Sequence, residues 1–201
     1  MRTIEADERA VRATLTLVSR VTTTDLDLAT PCAGWDLGTL LAHMTAQHRG
    51  FAAAAAGRGA DPEVWRTTGR SPHEYAQAAE QVIAAFAADG VPDREFMLPE
   101  LSPHQPIQAP VAIGFHLVDY VVHGWDVART LGLAWSLPED VLAAALPIAR
   151  AAPAGDWRLA PGAAFAPALP VPSDADTLTK IVAILGRCPA WSPPKIVGAN
   201  R

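Results

Sequence analysis

From about Val111 to Leu131 the chain is apolar on almost every side of a helix, and Gly132 follows directly. A helix with no polar face has to be surrounded, so this segment must run through the middle of whatever the chain folds into. Its interruptions are few and chemically pointed: His116, Asp119, His123 and Asp126. An ionised carboxylate among Phe115, Val118, Val121 and Val122 loses its hydration, which costs several kcal/mol unless a cation or strong donors replace it. The remaining elements are therefore read as the walls around this segment.

Those walls are helical. Val11, Leu15 and Val18 lie on one face of a first helix running from Glu5 to about Val21. Asp36 is placed to cap a second helix that runs to about Ala56, with Leu37, Leu40, Leu41, Met44 and Phe51 as its apolar stripe. Ser71-Pro72-His73-Glu74 has the pattern of a capping box, opening a third helix to about Ala88. Gly90 to Pro110 carries five prolines and reads as a long loop or a short extended element. Pro138 opens a fifth helix to about Ala151, a strand or hairpin is expected around Ala164 to Leu169, and Ser173 or Asp174 caps a sixth helix from Ala175 to about Leu185. The tail from Pro189 to Arg201 is expected along the surface. The fold class predicted is all-α: a four-helix bundle over residues 1–155, with residues 156–201 as a C-terminal extension packed on it as one compact unit.

Half of the 201 residues are apolar and 18% are charged, which suits one domain with a core. Sixteen basic against 21 acidic residues give a net charge of −5, which argues against nucleic acid as a partner. No apolar run is long and uncharged enough for a membrane span. The charged opening Met1 to Glu8 lacks the apolar stretch of a secretion signal, so a cytoplasmic location is expected, with Cys32 and Cys188 as free thiols.

Asp119 and His123 are four residues apart, about 40° around a helix and about 6 Å along it, so their side chains can meet at one point. His43 lies within the apolar stripe of the second helix. If the two helices face each other, His43, Asp119 and His123 form a two-histidine, one-carboxylate metal site; otherwise Asp119 and His123 are an ion pair. His116, on the same broad face, is a further ligand, an acid/base group or a hydrogen-bonded core histidine. His48, five residues after His43, is expected at the surface, as is His73, and His104 stands in the proline-rich loop. Cys32 is a small packed residue or a thiol activated ahead of the second helix. Trp35 and Trp125 read as packing anchors, and Asp126 either orients His123 or serves another helix.

Three blocks are familiar together. Thr30-Pro31-Cys32-Ala33-Gly34-Trp35-Asp36 followed by Leu40-Leu41-Ala42-His43 resembles the signature of the mycothiol-dependent maleylpyruvate isomerase N-terminal domain, a family of the DinB-like superfamily. Asp119 to Arg129 resembles the second half of that signature. Val171 to Asp176, with Leu185-Gly186-Arg187, Pro189 and Trp191, is similar to an actinobacterial metal-binding subgroup. The resemblance implies a DinB-like bundle whose first and fourth helices are not simple hairpin neighbours. It also implies a divalent metal, zinc or sometimes nickel, on His43, Asp119 and His123.

Three ligands leave a metal position open, the arrangement of catalytic rather than structural sites. The resemblance implies a thiol-using isomerase or S-transferase, with mycothiol or another low-molecular-weight thiol as cofactor and a small carbonyl or electrophilic substrate. In that reading His116 is the candidate for proton transfer and Arg187 for binding an anionic group. Two readings stand beside it: metal-assisted hydrolysis or lyase chemistry without a thiol, and a metal- or small-molecule-binding bundle with no turnover. The segment after Trp157 is open to three roles, a homodimer contact, a lid or a brace.

Overall fold

In the computed structural model, residues 2–160 and 163–194 are described. Helices are α1 (Thr3–Val18), α2 (Leu37–Ala55), α3 (Pro72–Phe86), α4 (Ala109–Leu131), α5 (Glu139–Ala151) and α6 (Thr177–Ile184), and a two-stranded sheet is formed by β1 (Glu95–Leu98) and β2 (Ser102–Gln108). The molecule is thus mostly helical with one small sheet, where an all-α fold was predicted. α4 lies in the middle, as its composition requires: α1 and α2 pack on it, and so do α5 and α6 on a further side. α3 closes the group by packing on α1 and α2. The strongest pairings are α1 with α4 and α2 with α3.

The core divides into three connected regions. Val11, Leu37, Leu41, Tyr75 and Tyr120 fill the space among α1 to α4. Leu117, Val121, Val141, Ala145, Ile181 and Leu185 join α4 to α5 and α6. At the far end Phe51, Phe86, Phe96 and Ile113 tie α2, α3 and α4 to the sheet.

Local corrections have local causes. The segment from Gly90 to Pro110 makes the only sheet among the described residues, an antiparallel pair with Phe96 opposite Ile107. Phe96 and Leu98 point inward from β1, while Pro103 and Pro106 are tolerated on β2, which has β1 on one side only. No strand forms at Ala164 to Leu169; there the Leu169 N–H donates to the Ala183 carbonyl of α6 at 2.9 Å. The cap of α6 is Asp176, not Ser173 or Asp174, its carboxylate accepting from Thr179 N at 2.7 Å. Ser71 does cap α3, accepting from His73 N, but Glu74 does not reach back: its carboxylate turns against Gly69, and the box is incomplete. Asp36 caps α2 as read from the sequence, accepting from Thr39 N at 2.7 Å. Pro189 to Pro194 is half-buried or exposed, and residues 195–201 of the expected surface tail lie outside the described residues. Among the described residues, no helix is long and apolar enough to cross a membrane.

Close approach to α4 depends on a missing side chain. A Cβ on Gly124 would stand 2.3 Å from the Trp135 ring and 2.9 Å from the Thr14 methyl of α1. Gly124→Ala is therefore expected to lose about 1–3 kcal/mol, the usual cost of overpacking. Urea unfolding checks this, and an unchanged midpoint would mean that Trp135 gives way freely.

Candidate metal centre

Two helices and two turns build the centre. α4 supplies Asp119 and His123 one turn apart, with Asp126 three residues further, and α2 supplies His43 from the facing wall. The turn before α2 is tight: Trp35 N donates to Cys32 O at 3.0 Å, Thr30 N to Trp35 O at 3.3 Å, and Gly34 takes φ +82°. It lays the Trp35 ring 5.0 Å from the His43 ring and points Cys32 Sγ at Asp126 Oδ2, 3.1 Å away. The second turn ends α6. Gly186 N donates to Ala183 O and Arg187 N to Val182 O, the two bonds of a Schellman motif, with Gly186 at φ +81°. A Cβ there would meet Ala166 at 2.6 Å, so glycine is required on two counts. The motif turns Arg187 inward.

His43, Asp119 and His123 are brought together. One ligand atom from each lies within 4.8 Å of the others. His123 Nε2 is 3.2 Å from one Asp119 oxygen and His43 Nε2 is 4.0 Å from the other. Two imidazoles and a carboxylate are a donor set that zinc and similar divalent ions take. The set is closed on one side: the His123 side chain is 6% exposed, against 28% for His43 and 23% for Asp119.

Behind His123 lies a second layer. Its Nδ1 bonds Asp126 Oδ2 at 2.9 Å, so a fully buried carboxylate sets which ring nitrogen faces the donor group. The same oxygen accepts from Arg187 Nη2 at 3.2 Å, and Arg187 Nη2 is also 3.4 Å from Cys32 Sγ. Cys32, His123 and Asp126 thus make a second cluster of metal-ligand type, sharing His123 with the first, but a guanidinium already occupies its edge. Arg187, expected to bind an anionic group, is buried, and the anion it holds is the protein's own Asp126.

The charges follow from these contacts. Burial pushes His43 down to about 4, with Asp119 opposing and the His123 charge assisting, so it is a neutral imidazole near pH 7. Burial also works against charge on His123, but Asp119 and Asp126 outweigh it and hold its pKa well above the ordinary value. Burial disfavours the charge on Asp119 and Asp126, yet His123 beside the first and Arg187 beside the second keep both ionised.

The other histidines lie elsewhere. His116 is fully buried, its Nδ1 at 2.7 Å from Asp7 Oδ1 and its Nε2 at 3.1 Å from His48 Nδ1. With both nitrogens engaged in the core, this placement does not support proton transfer at a solvent-facing substrate. His48, expected at the surface, has no exposed area: it stacks on Tyr120 at 4.0 Å and lies 5.1 Å from Tyr75. The rotation of about 140° from His43 is real, but α3 and α4 cover that face of α2 as well. His73 and His104 are exposed. Trp125 packs in the α4–α5 core, with Arg129 over its ring, and Trp35 packs against the core among α1 to α4 while also bordering His43. Both cysteines are free thiols, Cys188 exposed and Cys32 half-buried.

Residues 8–128 match the family model described as the mycothiol maleylpyruvate isomerase N-terminal domain. That span holds Cys32, His43, Asp119, His123 and Asp126 but not Arg187. Two proteins described as uncharacterized, from two strains of Mycobacterium tuberculosis, are each 30% identical over 183 residues, covering 90% of this chain and 96% of theirs. No solved structure matches the chain.

In the metal-free protein, His43 is expected to titrate near 4 and His123 to stay charged past pH 6.5. Because His123 is raised on folding, its contribution to stability is full below its unfolded pKa and fades as pH rises through its folded one. Histidine NMR titration, with urea unfolding of wild type and His123→Gln at several pH values, checks both. A wild-type advantage that grows with rising pH would contradict the assignment.

Proposed function

The chain belongs to the mycothiol maleylpyruvate isomerase N-terminal domain family, and on that premise we propose that it is a divalent-metal-dependent enzyme of the thiol-using isomerase or S-transferase type, acting on a small electrophilic or carbonyl substrate. The four long helices are read as a DinB-like bundle over residues 1–155, with residues 156–201 as an extension packed on it. His43, Asp119 and His123 would hold the metal, zinc or nickel. The single observation that carries the reading is the three-donor group from two helices, closed behind His123 and open along His43 and Asp119. Sites that keep a position free for a ligand are the catalytic ones.

A divalent ion held there supplies Lewis acidity and lowers the pKa of a bound thiol toward neutrality. The chain's own groups are prepared for this. His43 already presents a neutral nitrogen, and Asp119 is already ionised. Holding a metal, His123 would lose the proton on Nε2 and keep the one on Nδ1, hydrogen-bonded to Asp126 Oδ2. The Trp35 ring stands beside His43, tilted at 53° with centroids 5.0 Å apart. A low-molecular-weight thiol such as mycothiol would enter from the exposed edge, with the electrophile beside it.

Tag-free protein purified without chelator is expected to contain about one zinc or nickel per chain, as a single three-ligand centre requires. His43→Ala, Asp119→Ala and His123→Ala each remove it. Zinc affinity rises about tenfold per pH unit below the pKa of metal-free His123, since one proton leaves for each ion bound. Elemental analysis and chelator competition from pH 6 to 8 measure this, and thiol-dependent turnover of electrophilic substrates by the loaded protein tests the chemistry. Wild-type protein that takes up neither metal overturns the reading.

A further inference from the structure

Arg187 lies beyond the residues that match the family model, on a turn after α6, yet its guanidinium reaches the interior of α4. It gives Nη2 and Nε to Asp126 Oδ2 at 3.2 and 3.4 Å, and Nη1 to Leu185 O at 3.0 Å. Its guanidinium also stands 5.9 Å from the centre of the Phe165 ring. Asp126 Oδ2 is at the same time the acceptor for His123 Nδ1. The other oxygen, Oδ1, is buried with no partner among the described residues. Every anchor on Asp126 therefore converges on one atom, and the guanidinium among them, charged at any pH, comes from the C-terminal segment.

We propose that Arg187 is a positioning residue: through Asp126 it fixes the His123 ring so that Nε2, and not Nδ1, is presented to His43 and Asp119. The inference rests on the metal centre proposed above and makes the C-terminal segment part of it. A buried carboxylate that loses these donors turns toward whatever donor remains, and that turn removes the acceptor that orients His123. Gly186 determines where the guanidinium lands, because its left-handed φ and its contact with Ala166 leave no room for a side chain. Cys32, on the same carboxylate oxygen, brings the turn before α2 into the arrangement. Three segments far apart in the chain thus orient a single imidazole.

Arg187→Met keeps the buried stem and removes the charge; Arg187→Lys keeps a buried charge but cannot place two donors on Asp126 while a third holds Leu185 O. Zinc affinity of the folded protein is read by competition with a chromophoric chelator, and ligand geometry by the visible spectrum of the cobalt-substituted protein. Loss of a carboxylate that orients a ligating histidine lowers metal affinity about 10- to 100-fold. That range is expected for Arg187→Met, with a smaller loss for Arg187→Lys and a changed cobalt spectrum in both. A purely structural role would lower the unfolding midpoint and leave the affinity and spectrum of folded protein at wild-type values, which would overturn the proposal. If Arg187→Met does not fold, Arg187→Lys decides by the same criteria. Wild-type protein that binds neither zinc nor nickel overturns the metal centre and this inference together, whereas normal binding by wild type and both variants overturns this inference alone.

Discussion

Asp126 is an ionised carboxylate with no exposed surface, on a helix that is apolar almost all round. Such a group is tolerated only with a counter-charge and donors within hydrogen-bond reach. Here they are His123 from its own helix, Arg187 from the turn after α6 and Cys32 from the turn before α2. The three cannot converge unless α6 packs beside α4 and the turn at Gly34 folds back over it. Compensation of one buried charge therefore constrains the placement of segments more than 90 residues apart.

α4 carries a second polar line deeper in the core. Asp7 of α1, His116 of α4 and His48 of α2 form a chain of hydrogen bonds, with Tyr120 stacked on His48 and its hydroxyl donating to Met44 O. Tyr75 of α3 meets Thr14 of α1 beside it. This line joins α1, α2 and α4 through groups whose geometry is directional, so it specifies which faces meet, where apolar contacts alone would accept several arrangements. The two polar sets divide the work: one orients His123, and the other orients the helices that bring His43 to it.

Much of this was legible in the sequence because it is local. The position of α4 in the middle follows from its lack of a polar face, and the shared face of Asp119 and His123 follows from their spacing of four. Asp36 and Pro72 mark helix starts where they stand. What failed needed information from elsewhere in the chain. His48 reads as a surface residue from its angle to His43 alone, because the covering of that face by α3 and α4 is set by tertiary packing. Glu74 has the spacing of a capping box, but its carboxylate lies against Gly69 instead. Gly90 to Pro110 reads as a long loop or a short extended element, and it is the second, with Pro103 and Pro106 on a strand paired on one side only.

The sequence by itself determined which segments are helices, which of them must be central and which residue types are present to bind a metal. Helix formation and burial of an apolar face depend on spacings of three and four residues, and these are written in the chain. The tertiary structure decided which side chains share a centre: that Cys32 and Trp35 border it, that Arg187 binds a carboxylate of the protein itself, and that His116 and His48 belong to the core. Those outcomes depend on how a buried charge finds compensation. The Coulomb interaction responds to distance through space, and residues 61 and 94 positions from Asp126 lie as close to it as a helical neighbour does.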